Sequence, residues 1–255
     1  MTAEIAFPAH VENREATGRV VLVCEHASNA MPAPWGDLGL TADQRQAHIA
    51  WDPGALGLAR GLALRLGAVL VHAPVSRLIY DCNRAPDSPA AMPERSEIHD
   101  IPGNRGLDQA ARAARTRAVY LPFHATLSAE IARRLALGLR PVVVTVHSFT
   151  PVYHGQPRAV EFGVIHDACA GLARAIAAGG AAAGLVTRLN EPYSAADGVT
   201  HTLRLQALPY GLPNAMLELR NDLIADAPAQ EAMADRLAPA IARAVDGLDA
   251  VARAG

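Results

Sequence analysis

The sequence contains no lysine, so its basic side chains are all arginines and histidines. Chemistry that needs a lysine amine, such as Schiff-base formation, is therefore excluded for these residues. The formal net charge is −2, and no block of like charges occurs along the chain. Because nucleic-acid binding depends on a basic stripe that neutralises phosphates, we expect no nucleic-acid partner.

Cysteines and long apolar runs are also scarce. The three cysteines, Cys24, Cys82 and Cys169, lie far apart and form no CxxC pair, which argues against a disulfide framework or a thiolate zinc site. No apolar run approaches the ~18 residues that span a bilayer. The first residues lack the basic-then-apolar pattern of a signal peptide. We therefore expect a cytoplasmic protein without a membrane partner, and the sequence carries no signal for an oligomeric state.

Short apolar runs alternate with helical segments along the chain. The predicted strands are 20–24, 68–72, 78–82, 142–146, 160–165, 185–189 and 214–220, and the predicted helices are 56–66, 107–137, 169–183 and 230–251. This alternation favours an α/β three-layer sandwich, with a mixed, mostly parallel sheet flanked by helices, in one domain over 1–255. The proline-rich segment 85–105 is predicted to be a long functional loop.

Two predicted strands lead into a histidine, His26 and His147. Ligands in open α/β sheets bind beyond the carboxyl ends of the strands, and neutral imidazole is a common ligand for divalent metals. A lone histidine at a strand end is more often satisfied by backbone or water, but two of them with one carboxylate would complete a catalytic zinc site. The carboxylate is either Asp52, whose alternative role is a helix N-cap, or Glu25.

Glu218 lies within an apolar strand, where alternation places it on the same face as Arg220. Its burial is costly without a partner. The side chain is therefore either part of a structural ion pair or a general base whose pKa is raised by burial. Beside the 78–82 run, Arg77 and the pair Asn83-Arg84 are candidates for binding anionic groups, because an arginine fork suits a carboxylate.

Six segments in order resemble the motif series of the N-formylglutamate amidohydrolase family, and together they cover most of the chain. They are CEHASNAMP, AWDPGA, SRLIYDCNR, SEIHDIPGN, HSFTP and ELRNDLI. The family is similar in turn to zinc carboxypeptidases and aspartoacylases, which implies a zinc-carboxypeptidase/phosphorylase-hydrolase-like fold. The resemblance implies one Zn²⁺, hydrolysis of an N-acyl acidic amino acid such as N-formyl-L-glutamate, and a small-molecule substrate as the partner.

The resemblance also implies a role for each candidate residue. His26 and His147 bind zinc, Arg77 stabilises the oxyanion, and Glu218 activates the water. Asn83 and Arg84 hold the substrate carboxylate. Further candidates for substrate binding are Ser28, Asn29, Ser148 and Arg220.

One departure affects this assignment. In the related enzymes the first motif is His-x-x-Glu, and its glutamate is a ligand, whereas here the fourth position is Asn29. The third ligand is then Asp52 or Glu25, or the metal is bound more weakly. Two other functions stay open at this point: deacylation of another N-acyl amino acid, and metal or metabolite binding without catalysis.

Overall fold

The computed structural model describes residues 5–168 and 170–254. Within this part the strands are β1 (His10–Glu12), β2 (Val20–Cys24), β3 (Val69–His72), β4 (Arg95–Ser96), β5 (His99–Asp100), β6 (Val142–Phe149), β7 (Val152–Tyr153), β8 (Gln156–Pro157), β9 (Phe162–Ile165), β10 (Thr187–Leu189) and β11 (Asn214–Arg220). The helices are α1 (Ala42–Gln46), α2 (Ala55–Leu66), α3 (Gln109–Arg115), α4 (Leu121–Ala136), α5 (Ala170–Ala182), α6 (His201–Gln206) and α7 (Ala227–Ala254). None of the helices in this part is both long enough and apolar enough to cross a bilayer.

Seven of these strands form one sheet in the order β1-β3-β2-β6-β11-β9-β10. The pairs β3–β2, β2–β6, β6–β11 and β9–β10 are parallel. The edge strand β1 and the β11–β9 pair are antiparallel. The prediction of a mixed, mostly parallel sheet is therefore confirmed. β4–β5 and β7–β8 are short separate hairpins.

Apolar side chains cover both faces of the sheet. On one face, Leu217 and Leu219 of β11 pack in a core with α2, α5 and α7. On the other face, Met216 packs in a second core that includes Phe123 and Leu127 of α4. Helices on both faces make the predicted three-layer sandwich, and the alternation along β11 sets the direction of Glu218.

The segment 78–82 is not a strand, which corrects the sequence-based expectation. Leu78, Ile79 and Tyr80 are buried, but they lie in a turn. The carbonyl of Leu78 accepts a hydrogen bond from the Asn104 side chain, and that of Ile79 accepts one from Arg115. Side chains therefore satisfy this backbone without a neighbouring strand.

Two other boundaries differ from the prediction. β6 does not stop before His147 but continues to Phe149, because β11 pairs with it from Val143 to Phe149. The helical region 107–137 contains a π-helical turn, Thr116–Tyr120, between α3 and α4. The predicted start of the next helix at Cys169 falls outside the described residues.

Candidate metal centre and substrate cavity

The candidate site lies where β2, β6 and β11 end. His26 follows β2 by two residues, whereas His147 and Glu218 lie within β6 and β11. These last two residues are register partners in adjacent parallel strands, so their side chains point to the same face of the sheet. The fold thus brings His26 close to residues that are more than one hundred positions away in the sequence.

Asp52 reaches the site from the loop before α2. Its backbone N–H donates to the carbonyl of His26 (2.9 Å), and its Oδ2 accepts from the backbone N–H of Ser148 (3.3 Å). The N-cap of α2 is Gly54, so Asp52 does not have the capping role that its position in the sequence allowed. Gly54 has φ = 80°, and a Cβ there would lie 2.2 Å from the carbonyl oxygen of Ile224. The close approach of these two segments therefore requires glycine.

Three buried atoms converge at this point. His26 Nδ1 lies 3.1 Å from His147 Nδ1 and 3.2 Å from Asp52 Oδ2. The third separation, from His147 Nδ1 to Asp52 Oδ2, is 2.9 Å. A tetrahedral zinc with ligand bonds of about 2.0–2.1 Å requires ligand atoms about 3.3 Å apart. The observed triangle is only slightly smaller, and these three residues, hereafter the metal cluster, could hold a metal ion.

The outer nitrogen of each imidazole faces a second carboxylate. His26 Nε2 lies 2.8 Å from Asp81 Oδ1, and His147 Nε2 lies 3.2 Å from Glu25 Oε2. Because a carboxylate only accepts, the hydrogen bond to Asp81 places the proton of a neutral His26 on Nε2 and leaves its Nδ1 lone pair facing the cluster. The contact between His147 and Glu25 is at ion-pair distance but lacks the geometry of a hydrogen bond. Metal-binding histidines are commonly oriented in this way by a carboxylate behind them. Glu25 is therefore placed to support His147 from behind.

The metal cluster needs a positive charge at its centre. Two imidazole lone pairs and a carboxylate oxygen repel one another at about 3 Å unless a cation or a proton lies between them. Burial disfavours charge on His147, but the carboxylates of Glu25 and Asp52 raise its pKa well above the ordinary value. Burial likewise opposes ionisation of Asp52, but His26 and His147 hold its pKa well below the usual range. The donor set fits a divalent metal.

Arg77 is held by two acids beside the metal cluster. Its guanidinium donates to Asp81 Oδ2 (2.8 Å) and, over a longer distance, to Asp52 Oδ1 (3.4 Å). The side chain keeps 23% of its surface exposed and lines the cavity. Arg77 therefore links the Asp52 loop to the segment that carries Asp81.

Glu218 has a different environment. It is 3% exposed, and its Oε2 has no hydrogen-bond partner among the described residues. Burial raises the pKa of Glu218 to about 8, against the attraction of His147. No arginine of the described part of the chain lies within ion-pair distance of Glu218. The structure therefore does not show the structural ion pair that the sequence left open. This carboxyl is free to exchange a proton with a molecule in the cavity.

A cavity of about 640 Å³ opens over the metal cluster. Of the predicted substrate-binding residues, Asn83, Arg84 and Ser148 line it. The Asn83 amide is used within the protein, donating to the carbonyl of Val199 and accepting from the N–H of Thr202. Asn83 therefore anchors the segment that presents Arg84.

The other three predicted substrate-binding residues do not line this cavity. Ser28 Oγ accepts from the N–H of Ala30. Asn29 donates to the carbonyl of Arg45 and to Gln46, away from the metal cluster. Arg220 forms ion pairs with Glu161 and Asp222. The asparagine at the fourth motif position is thus turned outward, and Asp52 occupies the place of a third ligand.

Several residues of the site were not identified from the sequence. Asp81, which lies behind His26, is in the same motif as Asn83 and Arg84, so the sequence could have suggested it as a partner of His26. Arg158 and Tyr193 line the cavity, and their hydrogen bond (3.1 Å) joins two loops that carry no sequence signal for proximity. His48, which burial keeps at a low pKa of about 4, lies 3.7 Å from Asp52 Oδ1.

Cys24 and Cys82 do not have the environment of nucleophiles. Both side chains are buried. Burial raises the pKa of each thiol well above the ordinary value, and nearby carboxylates raise it further. The reactive thiolate is therefore disfavoured at both positions.

Comparison with known proteins places the chain in a fold and a family. A structure of gene product Atu2144 from Agrobacterium tumefaciens is 54% identical, with a TM-score of 0.93 and 98% of each chain covered. A structure of N-formylglutamate amidohydrolase from Ralstonia eutropha JMP134 is 18% identical, with a TM-score of 0.64 and coverage of 93% of this chain and 97% of that one, which shows a shared fold. No curated protein matches the chain. Since the model of the N-formylglutamate amidohydrolase family matches residues 18–225, the chain belongs to that family of hydrolases.

Proposed function

We propose that the protein is a metal-dependent amidohydrolase that cleaves the N-acyl bond of an acidic amino acid, with N-formyl-L-glutamate as the leading candidate. The observation that carries the proposal is the metal cluster, in which two imidazole lone pairs and a carboxylate oxygen meet within 3.2 Å. Family membership supports the amidohydrolase reaction. The partner is accordingly a small molecule.

His26, His147 and Asp52 would hold the metal, and zinc suits two imidazoles with one carboxylate. A divalent metal bound there would polarise the scissile carbonyl and increase the acidity of a water molecule. Asp81 and Glu25 would keep the two imidazoles in the required tautomer and orientation. The protein thus supplies a rigid, buried donor set before any substrate arrives.

Glu218 is assigned as the general base. It takes a proton from the attacking water and returns it to the leaving nitrogen as the amide bond breaks. Two observations support this assignment: its Oε2 has no internal partner, and burial raises its pKa to about 8. A carboxyl whose pKa lies near neutrality can both accept and donate a proton within one reaction cycle.

Arg77 is assigned to the negative charge that develops on the carbonyl oxygen. Its guanidinium has five N–H donors, of which two are used by Asp52 and Asp81. The two acids hold the guanidinium in place and compensate its charge, so the donors left over are fixed before the reaction. Arg84, presented by Asn83, is assigned to the α-carboxylate of the substrate.

Substitution of Glu218 separates this mechanism from simple metal binding. We expect Glu218→Gln to lower kcat by about 10²–10⁴-fold while the protein keeps about one equivalent of metal, because only proton transfer is lost. His147→Ala should lose both metal and activity. Metal content by elemental analysis and hydrolysis of N-formyl-L-glutamate are the two measurements.

Glu231→Gln, in the exposed part of α7, is the matched control and should change neither value. Near-normal rates in Glu218→Gln would overturn the assignment of the general base. A wild-type protein that is insensitive to chelators would overturn metal dependence. Comparison of N-formyl, N-acetyl and larger N-acyl substrates identifies the acyl group.

A further inference from the structure

Two arginines line the cavity without an acidic partner. Arg77 is engaged by two carboxylates, whereas neither Arg84 nor Arg158 lies within ion-pair distance of one in the described part of the chain. Arg84 donates only to carbonyl oxygens, those of Asn83 (2.9 Å) and Gly198 (3.1 Å). Uncompensated cations in a cavity attract anionic groups of a ligand.

Arg158 is fixed more firmly than a mobile surface arginine. Its guanidinium carbon lies 4.4 Å from the ring centre of Tyr153, 5.1 Å from Tyr193 and 5.4 Å from Phe149. These cation–π contacts hold the group between three rings. Its backbone is also anchored, since its N–H donates to the carbonyl of Pro151 and its carbonyl accepts from Arg220.

Most of the donors of Arg158 remain available. One nitrogen donates to the hydroxyl of Tyr193 (3.1 Å) and another, weakly, to the carbonyl of Thr150 (3.4 Å), which leaves three of five N–H groups. None of its nitrogens is buried without a partner, so the remaining donors are accessible, and the residue lines the cavity. Because Tyr193 accepts from Arg158, its own O–H is free to donate to the same ligand.

The two arginines come from segments far apart in the chain. Arg84 belongs to the segment that follows β3, and Arg158 precedes β9. Both contact the segment between β10 and α6, since Arg84 donates to the carbonyl of Gly198 and Arg158 to the hydroxyl of Tyr193. Both also line the cavity over the metal cluster, so a ligand bound there meets two cations from separate segments.

We infer that Arg158, together with Tyr193, forms a second anion-binding subsite that takes the side-chain carboxylate of an N-acyl dicarboxylic amino acid, while Arg84 takes its α-carboxylate. This inference rests on the proposed function for its substrate and for its kinetic test, whereas a binding measurement tests it without turnover. It assigns to Arg158 and Tyr193 the discrimination between acidic and neutral side chains.

The subsite is tested by comparing variants that lack one arginine on substrates that lack one carboxylate. The substrates are N-formyl-L-glutamate, N-formyl-L-glutamine, which lacks the side-chain charge, and N-formyl-4-aminobutanoate, which lacks the α-carboxylate. Arg158→Met should lower kcat/KM about 10²-fold for N-formylglutamate but less than about threefold for N-formylglutamine, because a charge-assisted bidentate contact is lost only with the former. Arg84→Met should instead leave kcat/KM for N-formyl-4-aminobutanoate nearly unchanged, because this substrate lacks the α-carboxylate that Arg84 is proposed to bind.

Arg188→Met, an exposed arginine outside the cavity, is the matched control and should leave all three substrates unchanged. Arg158→Lys keeps the charge and should fall between wild type and Arg158→Met, which guards against a folding defect. An equal loss on all three substrates in Arg158→Met would overturn the assignment.

Binding of glutarate to the metal-loaded protein, measured by calorimetry, tests the subsite without any turnover. Wild type should bind glutarate at least tenfold more tightly than butyrate, and Arg158→Met should remove most of that difference. Equal binding of the two acids by wild type would overturn the subsite. If glutarate is discriminated but no N-formyl substrate is hydrolysed, the proposed reaction fails and the subsite stands.

Discussion

The metal cluster and the two unpaired arginines form opposite kinds of surface within one cavity. His26, Asp52 and His147 each lie within ion-pair or hydrogen-bond distance of oppositely charged groups in the protein, and the side chains are at most 3% exposed. Arg84 donates to backbone oxygens and Arg158 packs against aromatic rings, and neither forms a direct ion pair with an acid in the described residues.

The difference fits what each surface is proposed to bind. A metal site must hold its ligands in place against their mutual repulsion, so carboxylates behind each imidazole are needed. A substrate site must bind an anionic ligand and later release it. Its arginines therefore keep N–H donors that the protein itself does not use. The predictions below disturb the two surfaces separately, starting with the largest effect.

Loss of the ligand carboxylate should have the largest effect. Asp52→Asn keeps the shape of the side chain but removes the negative charge at the centre of the metal cluster. We expect loss of bound metal and a fall of at least ~10³-fold in kcat/KM, because Lewis-acid stabilisation is worth several kcal/mol. Elemental analysis and steady-state kinetics measure the two quantities. Asp235→Asn, an exposed residue, is the control, and a fully metallated Asp52→Asn protein would contradict the assignment.

We expect acid to weaken the interaction of His124 with the segment that carries Arg84. His124 Nε2 donates to the carbonyl of Cys82 (2.9 Å), and its Nδ1 faces the amide of Gln206 (3.1 Å). Burial lowers the pKa of His124 to about 4, from about 6.5 in the unfolded chain. Between these values the unfolded state binds more protons, so this stabilisation is present above about pH 6.5 and lost as the pH falls to about 4. The loss is at most about 3 kcal/mol.

Urea unfolding at pH 7.5 and pH 4.5 measures this loss, with His124→Gln as the comparison. Glutamine can donate to the carbonyl of Cys82 but does not titrate. The free energy of unfolding of His124→Gln should therefore fall less between the two pH values than that of wild type. An equal fall would show that His124 does not carry this part of the acid sensitivity.

The smallest of the three effects is expected from substitution of Asp81, which lies behind His26 of the metal cluster. Asp81→Asn removes the carboxylate that accepts from His26 Nε2 and pairs with Arg77, but it leaves the three ligands in place. We expect metal affinity or kcat/KM to fall by about 10–100-fold, the usual effect of an outer-shell substitution. Competition with a chelator measures the affinity. A loss as large as that of Asp52→Asn would mean that Asp81 itself is a ligand.

The sequence predicted which face of β11 Glu218 occupies, because local alternation determines it. Apolar alternation in β11 correctly directed Glu218 away from Leu217 and Leu219, and the buried run of β2 correctly ended before His26. The identification of the hydrolase family is also confirmed, from motifs that each remain within a few residues.

Where the prediction failed, the missing information was long-range. The run 78–82 has the composition of a strand, but its carbonyls are taken by Asn104 and Arg115, which no local pattern indicates. The motif position of Asn29 suggested a substrate contact, yet its side chain is bound to the α1 segment outside the cavity.

By itself, the sequence determined the longer strands and helices and the residue types available for chemistry, since these follow from periodicity and composition. The tertiary structure decided which carboxylate completes the metal cluster, and it brought Arg158 and Tyr193 into the cavity. Those outcomes depend on distances between segments far apart in the chain, and such distances are set by packing of the whole sheet and its loops.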